Sequence, residues 1–467
     1  MEDFRKWAVH AAEWGVDYRA RLRDLPVRPP VQPGEIAAKI APSPPDAPEP
    51  FETIFADFER DIAPGMTHWQ HPRFFAYFPS NSAPASVVAE HVVNALAAQC
   101  MLWQTSPAAT ELETVMMDWM RQALGLPDSF TGVIQDTATT TTLIAALIMR
   151  ERALQWRGNT EGLSGAPRLR VYCSAEAHSS IDRAVWFSGI GADNLVRIPI
   201  KGPKRGADAG ALDALIRADV AAGHKPAGVI INVGATGAGA VDPVADLVRV
   251  AKAHDLYTHV DAAWAGSAMI CPELRAGWVG VEDTDSIVVN AHKWLGAQFD
   301  CALHFVRDPA PLLRTLAMRP DYLVTPGHDE IVNYSEWSIP LGRRFRALKL
   351  WFVLRAYGLE GLRTMIRNHI AWSRALCERL RAARDFQIVT EPSYSLFSFR
   401  YAPAGAGDLD ALNLRLVEGI NADGRIYLTQ TRIDGRVAIR FQVGQFESTE
   451  ADVMSAYDVI TEIAAKL

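Results

Sequence analysis

Residues 242–263 read DPVADLVRVAKAHDLYTHVDAA, and this stretch decides the fold class. Residues 242–255 place apolar side chains three and four positions apart, which predicts an amphipathic helix. Residues 256–263 form a short, mostly apolar run that is typical of a buried strand. A helix followed directly by a buried strand is the repeating unit of an α/β fold.

The same alternation extends over the middle of the chain. Short β-rich runs with helical patterns between several of them are LRVYCS (169–174), NLVRIPI (194–200), GVIINVG (228–234), SIVVNAHKW (286–294) and CALHFVRD (301–308). They predict a mostly parallel, mixed sheet flanked by helices. Ligands of such sheets bind at the carboxyl ends of the strands, so we expect Asp261 and Lys293 at the same edge.

The two ends of the chain differ from this middle part. Residues 1–82 combine an amphipathic helical pattern with a proline-rich stretch, which predicts a helical arm that packs on a second copy of the chain. Residues 83–350 form the predicted large domain. Residues 351–467 predict a small α+β domain, in which Asp434-Gly435 between two alternating runs indicates a hairpin.

Composition excludes several classes of protein. The 467 residues include 47 Lys and Arg against 54 Asp and Glu, a net charge of −7, which argues against nucleic acid as a partner. No apolar run is long enough to predict a membrane span, and the charged N-terminus does not resemble a signal peptide. The five scattered cysteines favour reduced thiols, so we expect a cytoplasmic protein.

Two charged residues at the predicted strand ends carry reactive groups. Lys293 follows the strand 286–290 and can form a Schiff base with an aldehyde cofactor, although a lysine in a surface loop is the alternative. Asp261 ends the strand before it, ahead of the small residue Ala263. Its carboxylate can keep a pyridine nitrogen protonated, and a helix cap or a metal ligand are the alternatives.

Two further features suit a planar, phosphorylated cofactor. The stretch GVIQDTATTTTLIAALIMRERA (132–153) places five threonines at the start of a predicted helix, where hydroxyls and free N–H groups can bind a phosphate. Helix capping alone would need one of these hydroxyls. His178 follows the strand 169–174, and its ring either stacks on the cofactor or has a structural role. A lysine, a carboxylate, an anion site and a stacking ring together indicate pyridoxal 5′-phosphate and no metal.

The chain also resembles a known family over nearly its whole length. It is similar to the group II pyridoxal-phosphate decarboxylases, most of all to the aromatic L-amino-acid decarboxylases. The stretches that carry the resemblance are THWQHPRFFAYFPS, SPAATELETVMMDWM, GVIQDTATTTT, AHSSIDRA, HVDAAWAGSAMICPE, NAHKWLGAQFDC and IPLGRRFRALKLWFVLRAYGLEGL. The resemblance implies the fold type I of pyridoxal-phosphate enzymes (aspartate aminotransferase-like) and a homodimer with its active site at the subunit interface.

The resemblance also implies roles for individual residues. Lys293 matches the Schiff-base lysine, Asp261 the partner of the ring nitrogen, His178 the stacking ring, and Tyr322 a loop tyrosine that delivers a proton. Further residues implied to hold the cofactor are Thr137, Ala138, Thr139, Thr236, Ala263, Asn290, His292, Leu341 and Gly342. Those implied on the substrate side are Trp69, Tyr77, Phe78, Pro79, Ser80, Met101 and Gly342, with Met101, Leu341 and Gly342 reaching the site of the other protomer.

Four positions depart from the family pattern. The phosphate loop reads DTATTTT, Trp264 replaces a tyrosine, Ser80 replaces a threonine, and Met101 replaces an aromatic residue. Ser80 keeps the hydroxyl of the residue that it replaces. Met101 is expected to reshape the substrate pocket.

The implied reaction is decarboxylation of an aromatic L-amino acid of the tryptophan, DOPA, tyrosine or phenylalanine class to its amine and CO₂. Gly342 carries no side chain, which predicts a pocket wide enough for bulky aromatic substrates. The alternatives are an O₂-dependent aromatic aldehyde synthase, a decarboxylase of another amino acid such as histidine, an aminotransferase, and a non-catalytic binding protein.

Overall fold

The structure is a computed structural model that describes residues 2–318 and 331–467. No helix among these residues is both long and apolar enough to cross a membrane. The chain forms two compact units. One comprises Met1–Pro79, Ala371–Glu391 and Phe397–Leu467, and the other comprises Ser80–Ile370 and Pro392–Leu396. The three-part division with boundaries near residues 82 and 350 stays a prediction.

The helices and strands are numbered in chain order. The α-helices are α1 Glu2–Arg21, α2 Phe51–Asp57, α3 Pro84–Leu96, α4 Pro107–Leu124, α5 Ala138–Ala153, α6 Gly158–Glu161, α7 Ser179–Phe187, α8 Ala209–Ala221, α9 Val244–Ala253, α10 Ala310–Leu316, α11 Arg346–Ala382, α12 Leu409–Asp423 and α13 Glu450–Ala464. The strands are β1 Thr131–Gln135, β2 Leu169–Ser174, β3 Leu195–Ile198, β4 Ile200–Lys201, β5 Gly206–Ala207, β6 Lys225–Asn232, β7 Tyr257–Asp261, β8 Ser286–Asn290, β9 Ala302–Val306, β10 Phe386–Ser393, β11 Leu396–Tyr401, β12 Thr429–Ile433 and β13 Arg436–Gln442.

The larger unit is built on a seven-stranded mixed sheet within the described chain. Its strand order is β1-β9-β8-β7-β6-β2-β3. Strands β3, β2, β6, β7 and β8 run parallel, whereas β9 runs antiparallel to both of its neighbours. The predicted α/β class with a mostly parallel mixed sheet flanked by helices is confirmed, and the stretch 242–263 forms α9 and β7.

Apolar side chains of this sheet pack against α5. Val133, Val171 and Ile230 from the strands are fully buried in one cluster with Ile144 and Ile148 from the helix. Strands buried in this way consist mostly of apolar residues, which explains why β2 could be delimited from the sequence. The packing also fixes the direction of α5, whose N-terminus follows the carboxyl end of β1.

The other unit has a four-stranded sheet in the order β10-β11-β13-β12. Its core contains Phe75 stacked on Phe441, with ring centroids 4.5 Å apart. The predicted hairpin joins β12 to β13, and both of its turn residues have positive φ, 50° at Asp434 and 79° at Gly435. Positive φ at both positions is typical of a two-residue turn whose twist matches the strands.

The N-terminal residues of this unit also contact its C-terminal part. Arg23 and Arg73 both form ion pairs with Asp452, with nitrogen–oxygen distances of 3.0 and 3.2 Å. The backbone N–H of Val27 donates to the carbonyl of Gly424 at 2.8 Å. Residues 1–79 therefore have contacts within their own chain, and packing of the arm on a second copy stays a prediction.

Candidate active site

Three neighbouring parallel strands end at one edge of the sheet. In the pairing, Asn232 at the end of β6 lies opposite Asp261 at the end of β7, and Asp261 lies opposite Val288 of β8. The backbone N–H of Asn290, the last residue of β8, donates to the carbonyl of Ala263 at 2.9 Å. Asp261 and the segment that leads to Lys293 therefore lie side by side, as expected from the alternation of strands and helices.

Lys293 lies in the tight turn that follows β8. Its backbone N–H donates to the carbonyl of Asn290 at 3.0 Å, and its side chain is half-buried. Lys293 is thus not a lysine of an extended surface loop. The turn directs the main chain away from the sheet directly after the strand, at the edge where ligands of α/β proteins bind.

Asn81 holds this turn from a distant part of the chain. Its side-chain amide donates to the carbonyl of Lys293 at 2.5 Å, and its backbone N–H donates to the carbonyl of His292 at 2.9 Å. Asn81 is fully buried. The sequence does not indicate a role for this residue, because an asparagine in the polar stretch PSNSAP gives no periodic signal.

Asp261 is a half-buried carboxylate with one oxygen already engaged. Its Oδ1 accepts a hydrogen bond from the backbone N–H of Ala263 at 3.1 Å. No α-helix begins at this residue. The described residues contain no group of three or more His, Cys, Asp or Glu that could hold a metal ion.

His178 is the N-cap residue of α7, and its hydrogen bonds define the tautomer of its ring. Nδ1 accepts from the backbone N–H of Ser180 at 3.1 Å, so the neutral imidazole carries its proton on Nε2. Although the side chain is exposed by surface area, the surrounding protein desolvates it enough to lower its pKa. The Asp261 carboxylate opposes this decrease and the Lys293 ammonium adds to it. Both charged groups therefore act on the ionisation of His178.

The first turn of α5 offers donors for an anion. Thr137 caps the helix, and its hydroxyl accepts from the backbone N–H of Thr140 at 3.4 Å. The hydroxyls of Thr141 and Thr142 instead donate to carbonyls one turn earlier, which turns them away from a ligand. The threonines nearest the helix start therefore remain available to an anionic ligand. The first backbone N–H groups are available as well, because they have no acceptor within the helix. Thr139 is one of these threonines.

Two other residues implied to hold the cofactor, Thr236 and His292, follow the carboxyl ends of β6 and β8. Thr236 is at the tip of the loop after β6, which is closed by hydrogen bonds from Gly234 and Ala235 to Ala240. His292 is buried, and its Nδ1 accepts from the backbone N–H of Cys301 at 2.9 Å. Burial first, and the nearby Lys293 second, lower the pKa of His292 to about 3. It is therefore neutral with its proton on Nε2.

Two tryptophans connect the segments that carry Asp261 and Lys293. Trp264 stacks on Trp294 with centroids 5.1 Å apart and an interplanar angle of 20°. Trp294 donates from Nε1 to Nδ1 of His369 at 3.0 Å. Because Trp264 replaces the tyrosine usual in the family, this stack gives the chain a broader aromatic contact at that position.

The residues implied to reach a second protomer form a separate group. Met101 and Gly342 lie on two segments joined by a hydrogen bond of 3.0 Å from the Cys100 N–H to the Arg343 carbonyl. Leu341 and Gly342 are both exposed. This group is accessible on the larger unit, as residues that complete the site of a second copy would need to be.

The remaining residues implied on the substrate side divide between the two units. Ser80 is half-buried and begins the larger unit. In the other unit, the ring of Trp69 stacks on that of Phe74 with centroids 4.5 Å apart. Pro79 is the last residue of the segment Met1–Pro79 of that unit. Also in that unit, the guanidinium of Arg440 lies 5.2 Å from the ring centroid of Phe78, and Tyr77 adopts a positive φ of 45°. Tyr322 lies outside the described residues.

The residues of the larger unit fit pyridoxal 5′-phosphate. The cofactor needs donors for a phosphate, a carboxylate for its ring nitrogen, a primary amine for its aldehyde and a flat neutral group for its ring. The first turn of α5, Asp261, Lys293 and His178 have the chemistry of these four groups.

Comparison with known proteins agrees with this chemistry. The model of the pyridoxal-dependent decarboxylase conserved domain matches residues 33–402. Tryptophan decarboxylase 2 of Oryza sativa subsp. japonica is 37% identical over 100% of this chain and 95% of its own. Phenylacetaldehyde synthase of Arabidopsis thaliana is 36% identical over 100% of this chain and 96% of its own. The crystal structure of the Oryza sativa enzyme TDC with PLP and tryptamine has a TM-score of 0.96 and 35% identity, covering 100% and 98% of the two chains. The chain belongs to the pyridoxal-dependent decarboxylase family.

Proposed function

We propose that Lys293, Asp261 and His178 form the catalytic centre of an aromatic L-amino-acid decarboxylase. The protein is a pyridoxal-phosphate-dependent carboxy-lyase that acts on aromatic amino acids. The observation that carries the assignment of residues is the position of Asp261 and Lys293 at adjacent strand ends, both acting on the ionisation of His178.

Each residue has a task that follows from its surroundings. When bound, the cofactor supplies a ring that accepts the electron pair left by the departing CO₂. Asp261 would hold a proton on the ring nitrogen, since its negative charge favours the cationic form of the ring. The neutral His178 would stack on the ring and would keep its Nε2 proton available for the substrate. The start of α5 would bind the phosphate with N–H groups and hydroxyls.

Lys293 has two tasks. Its primary amine would hold the cofactor through the aldehyde, at the position that the amine of the substrate would take. Asn81 fixes the main chain at residues 292 and 293, which would keep the side chain of Lys293 beside the reacting atoms. Such positioning removes much of the entropic part of the barrier.

Product analysis tests the proposal. The protein is incubated with pyridoxal phosphate and, separately, with tryptophan, DOPA, tyrosine, phenylalanine, histidine and glutamate, and amine, aldehyde and keto acid are quantified. We expect CO₂ and amine from the bulky aromatic substrates, since Gly342 leaves room for them. A clear preference for histidine or glutamate would overturn the aromatic assignment, and keto acid as the main product would overturn decarboxylation.

An aromatic aldehyde synthase is the second candidate, because one curated relative has that activity by name. In the family the loop tyrosine favours amine formation, and Tyr322 is present in this sequence. We therefore expect amine as the main product in air.

Tyr322→Phe tests this distinction. The substitution removes the phenol that delivers a proton to the substrate Cα, an acid effect worth roughly 10²–10⁴-fold. We expect less amine, and aldehyde, ammonia and peroxide in its place, while CO₂ release continues. The amine-to-aldehyde ratio is measured in air and under nitrogen. Amine formation at the wild-type rate without peroxide would show that another group delivers the proton.

A homodimer with shared active sites completes the proposal. Exposed valine and leucine residues recur every fourth position on α3, with exposed fractions of 54% at Val88, 41% at Val92 and 58% at Leu96. An apolar stripe of this kind supports a subunit interface. We expect a dimer in size-exclusion chromatography with light scattering at working concentration. An active monomer would contradict this assembly.

A cytoplasmic location agrees with the state of the cysteines. All five are buried and unpaired, which is typical of proteins from reducing compartments. Fractionation of cells that express the protein tests this location directly.

A further inference from the structure

A glutamine lies beside the residue on which the predicted substrate size depends. A methyl carbon built on Gly342 would lie 3.1 Å from Nε2 of Gln99. Gln99 and Gly342 are both exposed. Any substrate ring that uses the space left open by Gly342 therefore meets the side-chain amide of Gln99.

The orientation of this amide is determined by its partner. The backbone N–H of Arg343 donates to Oε1 of Gln99 at 2.7 Å. A backbone N–H can only donate, so the amide atom that faces it must be the oxygen. The NH₂ end therefore points away from Arg343, and no described residue accepts a hydrogen bond from it.

The partner of Gln99 is itself held rigidly. The Arg343 guanidinium is buried, pairs with Glu113 at 2.6 Å and donates to the carbonyl of Ile134 at 2.8 Å. It also lies 5.0 Å from the ring centroid of Tyr334. Rotation of the Gln99 amide would place its NH₂ group against the Arg343 N–H, and the buried Arg343 cannot move to relieve that contact.

The backbone of Gln99 is fixed as well. Its carbonyl accepts from the hydroxyls of Thr105 at 2.9 Å and Ser106 at 3.1 Å. The site thus offers a preoriented, donor-only group next to an open space. A ring oxygen can accept from it, whereas an indole N–H is a donor and an unsubstituted phenyl ring has no acceptor in its plane.

We infer that Gln99 is a specificity-determining residue that selects hydroxyphenyl amino acids over phenylalanine and tryptophan, an inference that rests on the proposed function. A hydroxyl on the substrate ring accepts a hydrogen bond from Nε2. A ring without an acceptor buries the NH₂ group unpaired, which costs free energy.

Comparison of tyrosine with phenylalanine tests this inference, because the two differ by one hydroxyl. We expect kcat/KM of the wild-type holoenzyme to be about tenfold higher for tyrosine, the size of one hydrogen bond between neutral groups. Gln99→Met keeps the length of the side chain and removes the donor. It should bring the ratio close to one, because tyrosine loses a hydrogen bond and phenylalanine no longer buries an unpaired NH₂ group, and the change should appear chiefly in KM. Gln122→Met, an exposed glutamine of α4, is the matched control and should keep the wild-type ratio.

Gln99→Glu reverses the hydrogen-bonding character of the group. One carboxylate oxygen can still accept from Arg343, and the other then accepts from the substrate. Tryptophan should gain about tenfold relative to phenylalanine in this variant, because its indole N–H finds an acceptor. Circular dichroism and cofactor absorbance establish that both variants are folded and loaded.

The outcomes separate this inference from the proposed function. A wild-type enzyme that forms amine but prefers phenylalanine or tryptophan to tyrosine overturns the role of Gln99 and leaves the decarboxylase standing. An unchanged ratio in Gln99→Met does the same. A protein inert toward all three amino acids overturns both.

Discussion

Replacing Lys293 with alanine should lower kcat by at least about a thousandfold, since the amine that holds the cofactor and assists substrate exchange is lost. The variant should still bind pyridoxal phosphate, because the start of α5 and Asp261 are unchanged. Turnover is measured by amine release with the preferred aromatic substrate, and cofactor content is measured in the same samples.

Lys225 provides a matched control for this variant. It begins β6 at the edge of the sheet opposite to Lys293, and its side chain is exposed. Lys225→Ala should keep wild-type turnover within about twofold, as is usual for exposed positions. A Lys293→Ala protein with more than about a tenth of wild-type kcat would contradict the assignment.

Acid should destabilise the larger unit steeply below pH 6.5. Four of its histidines, His259, His292, His304 and His369, are fully or almost fully buried, and burial lowers the pKa of each. For His292, His304 and His369 the lowered pKa is about 3. The folded unit therefore keeps these rings neutral where the unfolded chain protonates them.

The sign of the effect follows from proton binding. Between the unfolded pKa near 6.5 and the folded pKa near 3, the unfolded chain binds more protons, so the free energy of unfolding falls as the pH falls. Well below pH 6.5 each ring contributes up to about 1.4 kcal/mol per pH unit, and the four together contribute up to roughly 6 kcal/mol per pH unit. Denaturant titrations at pH 7.5, 6.5 and 5.5 measure this slope. A free energy of unfolding that stays constant over this range would contradict the prediction.

The substitution His304→Leu measures the contribution of one of these rings to the pH dependence of the free energy of unfolding. Neither ring nitrogen of His304 has a hydrogen-bond partner among the described residues. The substitution should make the pH dependence shallower by about 1.4 kcal/mol per unit. It should also raise the free energy of unfolding at pH 7.5 by about 1–3 kcal/mol, because an unpaired buried polar group is removed. His91→Gln, on the exposed side of α3, should change neither quantity.

The strands and the reactive residues at their ends were predictable from the sequence because both depend on local patterns. The apolar run 169–174 coincides with β2, since a parallel strand buried on both faces has few polar positions. Asp261 and Lys293 follow such runs, so their common edge could be inferred before the strand order was known. The resemblance to the decarboxylases added the roles of individual side chains.

The contacts that position these residues were not predictable, because they join distant parts of the chain. Asn81 and Lys293 are 212 positions apart, and Arg343 and Glu113 are 230 apart. Neither pair leaves a periodic signal. The threonine run presents a different difficulty, since the sequence does not distinguish hydroxyls at the helix start from Thr141 and Thr142, whose hydroxyls donate to the helix backbone.

Attachment of the cofactor to Lys293 can be tested chemically. The protein loaded with pyridoxal phosphate is treated with borohydride, digested and analysed by mass spectrometry. We expect the cofactor on the peptide that contains Lys293 and no label on the Lys293→Ala protein. Attachment to another lysine, or equal labelling of the Lys293→Ala protein, would contradict this expectation.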